Sequence, residues 1–164
     1  MPLDAFLKFE GEPIDGESRQ KDHEKQLELE SFSFGASNSG TMHTATGGGK
    51  GKGDVHDMSF SMYVDKASTK MFQDCASGQH HNRAILATRK AGGEQQEYFK
   101  VTMEDVIISS FQIGASSGSD RPMANFSLNF AKIYYEYAPQ KPDGTLDPSA
   151  GNGWNVAEGA EWTA

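Results

Sequence analysis

Long stretches of this chain alternate apolar and polar residues with a period of two, as strands do when they bury one face. Leu3 to Phe9 predicts a first strand in which Phe6 lies between Ala5 and Leu7, so both faces are apolar. Gly11 to Lys25 is polar, charged and interrupted by Pro13, and reads as an extended loop. Gln26 to Gly35 predicts a second strand. In it Leu27 and Leu29 share one phase and Phe32 and Phe34 the other, so the apolar phase slips by one residue. Such a slip requires a bulge or a strand that passes from one sheet to another.

Ala36 to Gly53, rich in Gly, Ser and Thr, reads as a long flexible loop. Val55 to Val64 is a third strand with Met58, Phe60 and Met62 on one face. The period then changes. Val64, Ala67, Met71, Phe72 and Cys75 recur at helical spacing, which predicts a helix over about 68–77 packed by Met71, Phe72 and Cys75. Asp65 or Ser68 can cap its start and Gly78 its end. Further strands follow over Arg83–Lys90, Tyr98–Ile113 and Ala124–Tyr137, with a turn from Lys90 to Glu94 and a Gly/Ser loop from Gly114 to Asp120. Phase slips recur near Glu104–Asp105 and between Phe130 and Ile133. Three bends in three long strands predict a closed or nearly closed barrel rather than a flat sandwich. Pro139 to Gly153 is turn-rich, Trp154 anchors a last short strand, and Ala157 to Ala164 reads as a weakly ordered tail. The expected division is one barrel domain over 1–156 and a tail over 157–164.

A length of 164 residues fits a single domain with a real core. The formal net charge of −8 disfavours nucleic acid and anionic membrane surfaces as partners. The single cysteine, Cys75, excludes an intrachain disulfide. The start Met1-Pro2-Leu3-Asp4 lacks the basic and apolar regions of a signal peptide, and no apolar run has membrane-spanning length. The expectation is a protein made in the cytosol that, if exported, leaves without a cleaved signal.

No motif for chemistry assembles. Gly47-Gly48-Gly49-Lys50-Gly51-Lys52-Gly53 lacks the Ser or Thr and the upstream Gly of a phosphate loop. His80-His81 at the helix exit reads as surface, and Asp54 with His56 supplies only two ligands where zinc needs at least three. There is no Gly-x-Ser-x-Gly elbow, and the pair Glu104-Asp105 reads as a solvated strand distortion. No enzyme, cofactor or metal is expected.

Several segments, in order, resemble the Hcp (haemolysin-coregulated protein) family of type VI secretion systems. They are Phe32-Ser33-Phe34-Gly35, Asp57-Met58-Ser59-Phe60 leading to Tyr63-Val64-Asp65-Lys66, Arg89-Lys90-Ala91-Gly92-Gly93 with Glu97-Tyr98, Leu128-Asn129-Phe130-Ala131, Tyr137-Ala138-Pro139-Gln140 and Gly153-Trp154-Asn155. The resemblance covers about Leu3 to Val156. It implies a mainly β fold, a compact two-sheet β-barrel with one flanking helix. It implies a structural tube protein: homohexameric rings that stack inside a contractile sheath, expelled with a VgrG-type spike protein and able to carry small effector proteins in the pore. In such a ring Ser33, pointing away from Phe32 and Phe34, faces the pore, with Ser31 beside it. The loop carrying Thr41, His43, Gly47, Gly48, Gly49, Lys50, Gly51, Lys52 and Gly53 is expected to contact the next ring. The competing reading is a monomeric β-barrel binding module, for example one for carbohydrate, which would need exposed aromatics on a concave face.

Overall fold

The structure, a computed structural model, describes residues 4–40, 53–90 and 96–164. The elements in chain order are β1 (Ala5–Glu10), β2 (Leu27–Leu29), β3 (Ser31–Ser33), β4 (Ala36–Asn38), β5 (Gly53–Val55), β6 (Met58–Tyr63), α1 (Ala67–Ser77), β7 (His80–Arg89), β8 (Glu97–Gly114), β9 (Met123–Tyr137), β10 (Ala150–Asn155) and β11 (Ala160–Glu161). The protein is mainly β, with two sheets and one helix among the described residues.

The large sheet runs β11-β10-β9-β8-β7-β1-β2, and β3-β6 branches from β9. All its pairings are antiparallel. No pairing closes this path into a full ladder among the described residues. It returns on itself through the chain: β2 pairs β1, β3 pairs β6, and Glu30 joins the two, its N–H donating to the Ser61 carbonyl at 2.8 Å. The predicted slip between Leu29 and Phe32 is this corner, where the chain passes from pairing with β1 to pairing with β6. The closed barrel expected from the bends is not completed by strand pairing among the described residues.

Inside lie Leu7, Leu27, Met58, Met71, Leu86, Val101, Met103 and Leu128, all fully buried. Each contributes roughly 1.5–3 kcal/mol by leaving water. The buried face changes phase at one level across three neighbouring strands. β8 buries Val101 and Met103 before Asp105 but Val106 and Ile108 after it. β9 changes between Phe130 and Ile133, and β7 between His81 and Ala84. The expected bulge at Glu104–Asp105 is not a register shift. Asp105 takes a positive φ of 54° instead, and the β8–β9 register slips only between Ile108 and Ser110.

Helix α1 is capped as its sequence predicts. Asp65 Oδ1 accepts the Ala67 N–H at 2.8 Å, the Asp65 N–H donates to Ser68 Oγ, and Gly78, at φ 73°, closes the end through its N–H to the Asp74 carbonyl. The predicted packing face needs correction. Met71 is buried and Cys75 half-buried, but Phe72 is 62% exposed, its ring tilted against that of Phe111, while Ser68 and Asp74 turn inward. The inward Asp74 answers a second surprise. His81, expected at the surface, is buried, with Nδ1–H donating to the Glu12 carbonyl at 2.7 Å and Nε2 lying 3.1 Å from Asp74 Oδ2.

The segment 11–25 has no regular structure but is fastened down. Ile14 enters the core, Gly16 N–H donates to the Lys25 carbonyl, and Phe6 is sandwiched between the His23 ring at 4.4 Å and the Arg89 guanidinium at 4.8 Å. The loop expected over 36–53 is corrected at both ends, where Ala36–Asn38 pairs with Gly53–Val55 as a separate ribbon. Gly53 is thus a strand residue. The tail carries a short strand. Ala160–Glu161 pairs with Trp154–Asn155, and Trp162 sets its ring edge-on to Tyr134.

Candidate functional site

Four neighbouring strands bring their polar positions together on one exposed face. Cross-strand register places Ser31, Ser61, Asn125 and Gln112 in one row across β3, β6, β9 and β8. Two residues along, Ser33, Ser59, Ser127 and Ser110 form a second row. Between them, pointing the other way, lies a row of four rings: Phe32, Phe60, Phe126 and Phe111. Phe60 and Phe126 are buried and stacked with centroids 4.9 Å apart, and Phe72 of α1 covers the Phe111 end. Alternation along each strand thus gives an aromatic floor on the core side and hydroxyls and amides on the outer side.

One bulge makes the fourth strand fit. Ile108 and Phe111 both turn towards the core although they stand three positions apart, an odd spacing that strict alternation forbids. Ser109 is the extra residue, so Ser109 and Ser110 turn outward together and both reach Ser127, at 2.7 and 2.6 Å. Asp57, just before β6, ties the bulge down. Its Oδ2 accepts from Ser109 Oγ at 2.7 Å and its Oδ1 from Asn129 Nδ2 at 2.8 Å. The face surrounds a shallow groove of about 390 Å³, and among the described residues that line it Asp57 is the sole charged side chain.

Two further concavities differ in character. Phe34, Val55, Ile133, Tyr135 and Trp154 line an apolar groove of about 250 Å³ at the base of the β4–β5 ribbon. Glu17, Glu28, Glu30, Asp65, Tyr63 and Arg121 line an acidic recess. There, burial holds the Asp65 carboxyl above the usual carboxylate range. The Ala67 N–H pulls it down, and the nearby Glu17 carboxylate pushes it up. Among the described residues no three His, Cys, Asp or Glu side chains are placed to share a metal ion, and no helix is long and apolar enough to cross a membrane. His56 Nε2 meets Ser37 Oγ at 3.1 Å.

Of the residues singled out from the sequence, Ser31 and Ser33 lie on the polar face, on the side opposite Phe32. Gly53 begins β5. Thr41, His43, Gly47, Gly48, Gly49, Lys50, Gly51 and Lys52 lie outside the described residues, as does the turn over 91–94. Sequence reasoning missed Ser59, Ser61, Ser110, Gln112, Asn125 and Ser127. The signal was present as a polar-Phe-polar tripeptide in each of four strands, at 31–33, 59–61, 110–112 and 125–127.

The chain resembles proteins of one export machine. The family model described as "Type VI secretion system effector, Hcp" matches residues 6–137. Protein hcp1 of Pseudomonas aeruginosa is 42% identical over 163 residues, covering 98% of this chain and 99% of that protein. Among solved structures, a type six secretion system protein superposes with a TM-score of 0.90 at 28% identity, covering 98% of this chain and 99% of that one. Hcp1 from Salmonella typhimurium does so with a TM-score of 0.77 at 30% identity, covering 99% and 100%. The chain is therefore a type VI secretion protein, of mainly β structure. It belongs to the Hcp family.

Proposed function

We propose that this chain is a structural subunit of the secreted tube: that six copies close into a ring with the serine-rich face turned inward, and that rings stack. The observation that carries this reading is the four-stranded sheet β3-β6-β9-β8 behind that face. It has two free edges, and they differ. β3 pairs only with β6, and β8 beyond Ile107 pairs only with β9, among the described residues. Exposed strand edges invite pairing with another chain. A contact between two different patches is heterologous and closes into a ring when the rotation permits. Strand directions alternate from β3 to β8, so an edge of β8 meeting β3 of the next copy continues the antiparallel order. Six such sheets at about 4.8 Å per strand enclose a circumference of about 115 Å, hence a wall about 37 Å across.

A pore of that width leaves room for small effector proteins beside Ser31, Ser33 and their neighbours. The segment 41–52 between β4 and β5 is the proposed contact with the next ring, its Gly-rich composition allowing order to be gained on contact. The sheath and a VgrG-type spike are the expected outer and terminal partners, export proceeds without a cleaved signal peptide, and the subunit has no catalytic role. Light scattering after size exclusion tests the ring, with a species near six times 17.9 kDa expected. Shortening 47–52 is expected to spare rings and abolish tubes and export; tubes and export at normal levels would assign stacking to other surfaces. One observation favours the second reading, a monomeric binding module: Tyr135 and Trp154 are 39% and 38% exposed beside an apolar groove. A monomer at high protein concentration that binds a soluble polysaccharide would support it.

A further inference from the structure

The polar face is not uniform in its hydrogen bonding. Ser31 bonds Ser61, Ser110 bonds Ser127, and Asp57 is occupied at both oxygens by Ser109 and Asn129. Among the described residues, Asn125 and Gln112 make no side-chain hydrogen bond, although they stand directly opposite each other across β9 and β8. Both are exposed, and both line the groove. Each carboxamide offers an acceptor oxygen and two donor hydrogens. Side by side they present the same functions as a peptide group: a carbonyl that accepts and an N–H that donates.

We propose that the Asn125–Gln112 pair is a main-chain docking site, which holds an extended segment of a passenger polypeptide through its peptide N–H and C=O groups, whatever the charge of the passenger's side chains. The inference rests on reading this face as the pore wall, since that makes a polypeptide the occupant. The chemistry of the face supports the choice. Among the described residues Asp57 is the sole charged side chain lining the groove, and its carboxylate is bonded within the protein, so none of them offers a free charge to select an acidic or basic passenger. Nucleic acid would need cations to meet its phosphates, and the described residues of the lining hold none. Sugar rings would need aromatic faces to stack on, and the Phe row points to the core. Amide contacts at an exposed site are individually weak, and repetition around a ring makes them sufficient while leaving each one easy to break. A tube that must release its contents after export has use for both properties.

The test uses three fluorescent peptides of equal length: an uncharged Ser-Thr-Asn repeat, a Glu-containing version and a Lys-containing version. Their binding to the full-length protein is read by anisotropy at low and high salt. Two variants are compared, N125A/Q112A and N125V/Q112V, the second favouring strand structure, with particle mass checked by light scattering. Wild-type rings are expected to bind the three peptides with Kd values within about threefold of one another at either salt concentration. Both variants are expected to retain ring mass and to weaken all three peptides by about tenfold or more. Variant rings that bind as wild type does, wild-type binding that follows peptide charge and vanishes in salt, or no binding by wild-type rings would each overturn the proposal. A wild-type protein of monomer mass would count against the ring instead, and the effect of the variants would then be read on the monomer.

Discussion

At the scale of single residues, buried polar partners matter more than the aromatic that sequence spacing points to. Asp74 and His81 are each 1% exposed and hold α1, β7 and the backbone of Glu12 together. Asp74→Ala leaves the His81 ring without its helix partner, and the expected loss in urea unfolding is about 3–5 kcal/mol. Phe72→Ala, by contrast, removes a ring that is mostly in water, and its expected loss is under about 1 kcal/mol. The reverse order would mean that the helix is docked by its aromatic face. Asp65 illustrates a pH effect. Its carboxyl is raised by burial, with Glu17 adding to the rise. A raised folded-state value contributes stability that is fully present below the ordinary carboxylate value and is lost as pH rises through the raised one. Glu17→Gln is expected to lower the Asp65 titration seen by carboxyl NMR and to shrink that loss; an unchanged Asp65 curve would remove Glu17 from the account. The sequence made the caps at Asp65, Ser68 and Gly78 legible because caps are local. It could not reveal Asp74 and His81 as partners, because a pair is visible only once helix and strand are packed.

At the scale of elements, phase was legible and register was not. Each polar-Phe-polar tripeptide declares its own inward ring, but only pairing aligns four of them, and that alignment depends on one extra residue at Ser109. The phase slips were likewise real while their backbone forms differed: a corner at Glu30, a positive φ at Asp105 and, in β9, a change of buried face between Phe130 and Ile133. The bulge at Ser109 was not read from the sequence. A change of phase states that the strand turns over and does not say by which backbone device. Asp57 makes the bulge testable. Asp57→Ala frees Ser109 and Asn129, and since the site is partly in water the expected loss is about 1–2 kcal/mol in urea unfolding. An unfolding curve that superimposes on wild type would show that the bulge holds without its carboxylate.

At the scale of the whole molecule, the polar face, the aromatic floor and the two free edges belong to the same four strands, so a single sheet would both line the pore and join the copies. The Hcp family membership places the chain in type VI secretion, and the unequal edges are the feature on which the proposed closure into a ring rests. Of the long Gly-rich segment, residues 41–52 lie outside the described ones, while Ala36–Asn38 and Gly53–Val55, on either side, are strands because each offered the other a pairing edge that neither could show alone. The most direct test of the central claim is electron microscopy of the purified protein in negative stain, with class averages computed without imposed symmetry. Rings with six-fold symmetry around a hole of roughly 35–40 Å are expected, the width set by about twenty-four strands at about 4.8 Å each. Solid particles of monomer size, or closed rings of a different copy number, would contradict it.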